Sequence, residues 1–133
     1  MRTTLLAEYC FKLHFNAFSD KNITPYIDLL FIHQPVGDYY GTYRAMEEAY
    51  GSGKVRAIGL SNFYPDRLVD ICINAEIKPM VNQVETHVFE QQAVAHKYMN
   101  KYGVIHESWG PFAEGRKDFF TNPVLGGYWT KVQ

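Results

Sequence analysis

One interval repeats along this chain. Four apolar runs end at His33, Leu60, Val84 and Trp109, and the steps between those ends are 27, 24 and 25 residues. Between successive runs lies a segment with helical spacing of its apolar residues. A strand, a helix and another strand at a constant step form one βα unit. Units in series predict a parallel sheet with right-handed crossovers. Few other arrangements accept that rhythm.

The individual segments fit the rhythm. Tyr26–His33 is nearly all apolar and polar at its end, as a strand buried on both faces should be. Tyr43, Met46 and Tyr50 fall on one stripe of a predicted helix over 40–50, which Gly51 and Gly53 terminate. Val55–Leu60 is the second predicted strand. Pro65–Ala75 follows as a helix, with Leu68, Val69, Ile71, Cys72 and Ala75 on one face and proline in its first turn. Met80–Glu85 is the third strand. Gln91–Tyr102 is the third helix, with Val94, Tyr98 and Tyr102 stacked along it and Gly103 stopping it. Val104–Trp109 is the fourth strand. After the loop Gly110–Thr121, Asn122-Pro123 reads as a capped start of a fourth helix. Residues 1–22 fit a helix modestly through Leu5, Leu6, Tyr9 and Leu13, or a fifth strand.

Size and charge narrow the function classes. The chain has 133 residues, one domain's worth, and its 47% apolar content is ample for a core. A net charge of −1 offers no field for a nucleic-acid backbone. No run of apolar residues is long enough to span a membrane. Glu8 and Lys12 interrupt the apolar start, and no small-residue cleavage site follows, so a signal peptide is not expected. Cys10 and Cys72 stand in no metal spacing and read as buried thiols of a reducing compartment, which points to the cytoplasm. His87, His96 and His106 likewise make no metal pattern and are expected in solvated or capping roles, and Glu47-Glu48 on an exposed helix face.

Each predicted strand finishes in groups that hydrogen-bond or stack: His33-Gln34-Pro35, Ser61-Asn62, Asn82-Gln83-Val84-Glu85 and Trp109-Gly110-Pro111. Taken singly, each has an ordinary explanation. A strand-end histidine often serves structure, Ser-Asn before a helix is often an N-cap, a buried amide finds a partner and tryptophan fills cores. Those explanations do not require all four groups to share the C-terminal rim of the sheet, where parallel α/β folds bind ligands. Amides at 62 and 83, a hydroxyl at 61 and an aromatic plane at 109 suit a flat heterocycle bearing a carboxamide, which describes nicotinamide.

Four ordered segments resemble a known family. Met46–Phe63 is similar to the aldo-keto reductase signature, ending in Lys54-Val-Arg-Ala-Ile-Gly-Leu-Ser-Asn-Phe63. Tyr26-Ile-Asp-Leu-Leu with Ile32-His33-Gln-Pro, Ile77-Lys-Pro79 with Asn82-Gln-Val-Glu85, and Ser108-Trp-Gly-Pro-Phe112 match in order and spacing. The resemblance covers about 26–125 and leans toward bacterial reductases of sugar- and diketo-type carbonyls. It implies an α/β fold made of about four parallel βα units of a (β/α)8 TIM barrel, with 23–133 as a partial NADP-dependent oxidoreductase domain and 1–22 as an atypical segment. It implies reduction of aldehyde or ketone carbonyls by NADPH, or alternatively NADH. His33 matches the histidine that orients the substrate carbonyl. Ser61, Asn62 and Gln83 match the residues holding the carboxamide, and Trp109 the ring stacked on nicotinamide. Gly110 and Phe112 complete the cofactor-binding set, and no metal is implied.

The departures carry weight too. In the family a tyrosine general acid, a lysine and an aspartate lie upstream of the histidine strand. Tyr9, Lys12 and Asp20 are the right types but stand in no matching motif. A lysine-arginine clamp for the adenosine phosphate is also not matched, and Lys131 reads as an exposed residue. The expectation is a reductase segment that does not turn over by itself. The alternatives are a non-catalytic half barrel that associates through its exposed edges or binds a partner, and a small flavodoxin-like domain with a phosphate at its switch point. Gly110–Arg116 is read either as a lid over a pyrophosphate or as an ordinary surface loop.

Overall fold

A computed structural model of the chain describes residues 26–129. The expectations for 1–22, Tyr9, Cys10, Lys12, Asp20 and Lys131 lie outside the described residues. The elements run β1 (Leu30–Ile32), α1 (Tyr39–Gly51), β2 (Ile58–Ser61), α2 (Pro65–Asn74), β3 (Val81–Glu85), α3 (Ala93–Tyr102), β4 (Ile105–Trp109), a short 3-10 turn (Ala113–Gly115) and α4 (Pro123–Trp129). All strand pairs are parallel, and the sheet order is β1-β2-β3-β4. This is the wall of a singly wound barrel. A flavodoxin-like sheet reverses direction at a switch point. Among the described residues the order has no reversal, as expected for a barrel wall and not for a flavodoxin-like sheet.

Register divides the sheet's side chains between two faces, because successive residues of a strand point to opposite sides. Ile32, Leu60, Asn82 and His106 are cross-strand partners on one face. That face carries the core: Ile32, Ile58, Leu60 and Val84 pack with Tyr43 and Met46 of α1, Leu68, Ile71 and Cys72 of α2, and Ala95 and Met99 of α3. On the other face, Phe31, Gly59, Val81 and Ile105 form one row and Ser61, Gln83 and Glu107 the next. Ile105 there is 64% exposed. Gly59 admits nothing larger, since a Cβ at that position would lie 2.7 Å from the Val81 carbonyl oxygen.

The helices begin where local chemistry places them. Asp38 caps α1 by accepting from the Gly41 N–H at 2.8 Å. Pro65 occupies the first turn of α2, where its missing N–H costs nothing. Asn122 Oδ1 accepts from the Val124 and Leu125 N–H groups at 3.0 and 3.3 Å, as the Asn-Pro pair predicts. Gly103 ends α3 in the left-handed conformation (φ 73°), as C-terminal glycines do.

The inward face of α3 is Ala95 and Met99, while Val94 is 64% exposed and Tyr98 and Tyr102 are half-buried at the flanks. Two expectations need correction. Glu47 is half-buried, and its carboxylate accepts the Ile77 N–H at 2.8 Å, anchoring the chain before β3. β1 is also shorter than Tyr26–His33. Ile27 pairs singly with Val55, and Asp28 turns outward to Arg56 at 3.1 Å.

Candidate active site

The C-terminal rim of the sheet is organised by Asn62. Strict alternation would send its side chain to the helix side. Its backbone is left-handed instead, with φ 61°, a conformation asparagine tolerates better than most residues. The amide is thereby turned back over the strand ends. Its Nδ2 donates to the His33 carbonyl oxygen at 3.0 Å and to Ser61 Oγ at 3.1 Å. Its Oδ1 accepts from the Trp109 indole Nε1 at 2.9 Å. Its backbone N–H donates to the Gln83 carbonyl oxygen at 2.8 Å. One residue thus ties together the ends of all four strands.

Five of the expected site residues are therefore linked: Ser61, Asn62 and Trp109 through their side chains, His33 and Gln83 through their backbone carbonyl oxygens. They differ in access. Ser61 is fully buried and supports Asn62 from within the sheet. Asn62, Gln83 and Trp109 are half-buried, and the His33 residue is exposed. The ordinary explanation of Ser61-Asn62 as a helix N-cap does not hold. The capping position of α2 is Tyr64, which makes no side-chain cap bond. Beside the cluster, a cleft of about 410 Å³ is lined by Gln34, Pro35, Asn62, Tyr64, Asp66 and Arg67. Arg67 closes its wall by donating to the Pro35 carbonyl oxygen at 2.8 Å.

Gly110 and Phe112 follow the rim into the loop after β4. Gly110 adopts a left-handed φ of 61°. Phe112 is 59% exposed and meets Phe119 and Phe120, with Phe119 edge-on to Phe89. The loop is thus organised around its own aromatic rings.

Two features were missed in the sequence. Glu107 accepts from Gln83 Nε2 at 2.7 Å, an acidic partner directly opposite the amide in the register of β3 and β4. The signal was the alternation of β4, which puts residues 105, 107 and 109 on the Gln83 side. The histidines also make defined contacts. His87 is buried: its Nδ1 accepts the Phe89 N–H, so its Nε2 carries the proton toward Glu85 Oε1 at 3.3 Å. His106 lies 2.7 Å from Thr86 Oγ1, with its ring 5.2 Å from that of His96. Burial first, and then the charge of His96, lower its proton affinity. Among the described residues no group of three or more histidine, cysteine, aspartate or glutamate side chains is placed to hold a metal ion.

The donor set fits a carboxamide. Asn62 has committed both amide hydrogens and takes the Trp109 N–H on its oxygen, Ser61 is fully buried, and Gln83 keeps its carbonyl oxygen for a ligand. A primary amide brings N–H groups that an acceptor of that kind can take.

Comparison with known proteins identifies the family. The model of the Aldo/keto reductase family matches residues 12–121, a span that begins inside the segment 1–22. The chain is 46% identical over 101 residues to a glyoxal reductase of Bacillus subtilis, covering 75% of this chain and 36% of that protein. It is 38% identical over 102 residues to 2,5-diketo-D-gluconic acid reductase B of a Corynebacterium, covering 74% and 36%. An aldo-keto reductase from a deep-sea metagenome library of the Medee basin superposes with a TM-score of 0.82 at 40% identity, over 88% of this chain and 44% of that one. The chain thus spans between a third and a half of the length of these relatives. With its sheet order, its strand-end cluster and the matched span all in agreement, the chain belongs to the aldo/keto reductase family.

Proposed function

We propose that this chain forms the nicotinamide-binding part of a carbonyl reductase that uses NADPH, with NADH as the alternative, to convert aldehydes or ketones to alcohols. The observation that carries the reading is the Asn62 tie, which joins the backbone of His33 and Gln83 to the side chains of Ser61, Asn62 and Trp109 at one rim. The Gln83 oxygen accepts from the carboxamide NH2, and Asn62, steadied by Ser61, borders the carboxamide at the rim. Trp109 stacks on the ring and fixes which face is presented, and Gly110 and Phe112 border the remainder of the cofactor. A bound reduced nicotinamide would supply the hydride for the carbonyl carbon. His33 donates an N–H to the carbonyl oxygen, orienting it and stabilising the charge that gathers there.

No residue of this chain is assigned the general acid. The isolated chain is therefore expected to bind the cofactor's nicotinamide end without turnover above background, since acid catalysis contributes roughly 10²–10⁴-fold. The test follows NADPH absorbance with a small aldehyde. A background rate supports the reading. Turnover that His33→Ala leaves untouched contradicts both the inactivity and the histidine's role.

A second reading, a half barrel that associates through its open face, draws on the 64% exposure of Ile105 beside Val81. Size-exclusion chromatography separates the two: a monomer at high concentration removes the second reading.

A further inference from the structure

Gln83 is an ambiguous group by itself. Its amide can turn over, presenting either a carbonyl oxygen or an NH2 to a ligand. In this structure the ambiguity is resolved from the next strand. Glu107 lies opposite Gln83 in the β3–β4 register and takes its Nε2 at 2.7 Å. An ionised carboxylate only accepts hydrogen bonds. With the NH2 held by Glu107, the Gln83 oxygen is the part left for the rim. Asn62 is held by the same logic, because the Trp109 Nε1, which only donates, takes its Oδ1 at 2.9 Å. The His33 carbonyl oxygen, which only accepts, takes its Nδ2 at 3.0 Å. Two residues of β4, each with a single hydrogen-bonding polarity, thus set the orientation of both amides.

We infer that Glu107 is a positioning residue which locks Gln83 as an acceptor and so makes the site selective for a ring bearing a primary carboxamide over the same ring bearing a carboxylate. The inference rests on the nicotinamide reading above and names its specificity device. A carboxamide brings an N–H2 to the Gln83 oxygen. A carboxylate brings only lone pairs and a negative charge, close to a second negative charge at Glu107.

The experiment is an NMR titration of the 133-residue chain with NADP+ and with its nicotinic-acid analogue, read on the Gln83 side-chain NH2 and the Trp109 indole N–H. One mismatched hydrogen bond predicts a preference of about tenfold for NADP+. In Glu107→Gln the new amide either donates or accepts, Gln83 is free to turn, and the preference should fall to within about threefold while the melting temperature stays unchanged. The swapped pair Gln83→Glu with Glu107→Gln restores an acceptor at position 83 and should recover most of the preference. Perturbation by NADP+ at Gln83 and Trp109 with a preference that Glu107→Gln leaves intact overturns the inference alone. No perturbation of those groups by either ligand overturns the nicotinamide reading and this inference together.

Discussion

Leu60 and Ser61 are adjacent in the chain and equally buried, yet they serve opposite faces of β2. Leu60 points to the face packed beneath the helices, where shape and volume decide its contribution. Ser61 lies in the row with Gln83 and Glu107, where hydrogen-bond polarity decides what can be held. Among the described residues, the buried amide on the helix side is Asn82, which donates to the Phe63 carbonyl oxygen at 2.7 Å and leaves its own oxygen without a partner. The rim on the other side is polar and partly open. The contrast teaches that stability and recognition in this chain are separable by strand parity, so single substitutions on neighbouring residues should report on different properties.

Substitutions grade that separation. Leu60→Ala removes a fully buried side chain from the helix face and should cost about 2–5 kcal/mol in urea unfolding. A loss under 1 kcal/mol would mean the face is loosely packed. Gly59→Ala lies on the other face but should still cost about 1–3 kcal/mol, because its Cβ meets the Val81 backbone. A neutral result there shows that the sheet can part locally. Asn62→Ala should cost about 1–3 kcal/mol and shift the Trp109 indole resonance, since the indole loses its acceptor. Asn62→Gly keeps the left-handed backbone, so comparing the two isolates the hydrogen bonds from a strain of about 1 kcal/mol.

Smaller effects follow from charge. His106 faces Thr86 and His96 with its proton affinity lowered, so its neutral form is favoured in the folded state. Between the folded and unfolded pKa values the unfolded chain binds more protons. The contribution is therefore present above the unfolded value, near 6.5, and lost as pH falls through the folded one. His106→Gln should flatten that part of the stability–pH curve, measured by thermal melts from neutral to mildly acidic pH. An unchanged slope assigns the pH dependence elsewhere. Asp28→Asn breaks an exposed ion pair with Arg56 and should change stability by less than about 1 kcal/mol.

The parallel order and the unit length were legible because each element matched its own period and the step repeated. The rim residues were legible because they fell at strand ends. What escaped the sequence depends on backbone twist and register. Asn62 reaches His33 and Trp109 only because its φ is positive. Glu107 becomes relevant only once β3 and β4 are aligned. The inward face of α3 was not legible from its stacked large residues, because Ala95 and Met99 sit nearest the sheet. Cys72 was correctly expected to be buried, and its thiol is pushed up to about 11 by that burial.

A titration of the isotope-labelled chain with NADPH tests the central claim most directly. The account predicts that Asn62, Gln83 and the Trp109 indole shift together along one saturation curve, with residues on the helix side of the sheet unmoved. Shifts confined to the helix side, or rim residues that respond with unrelated affinities, would contradict a common nicotinamide site.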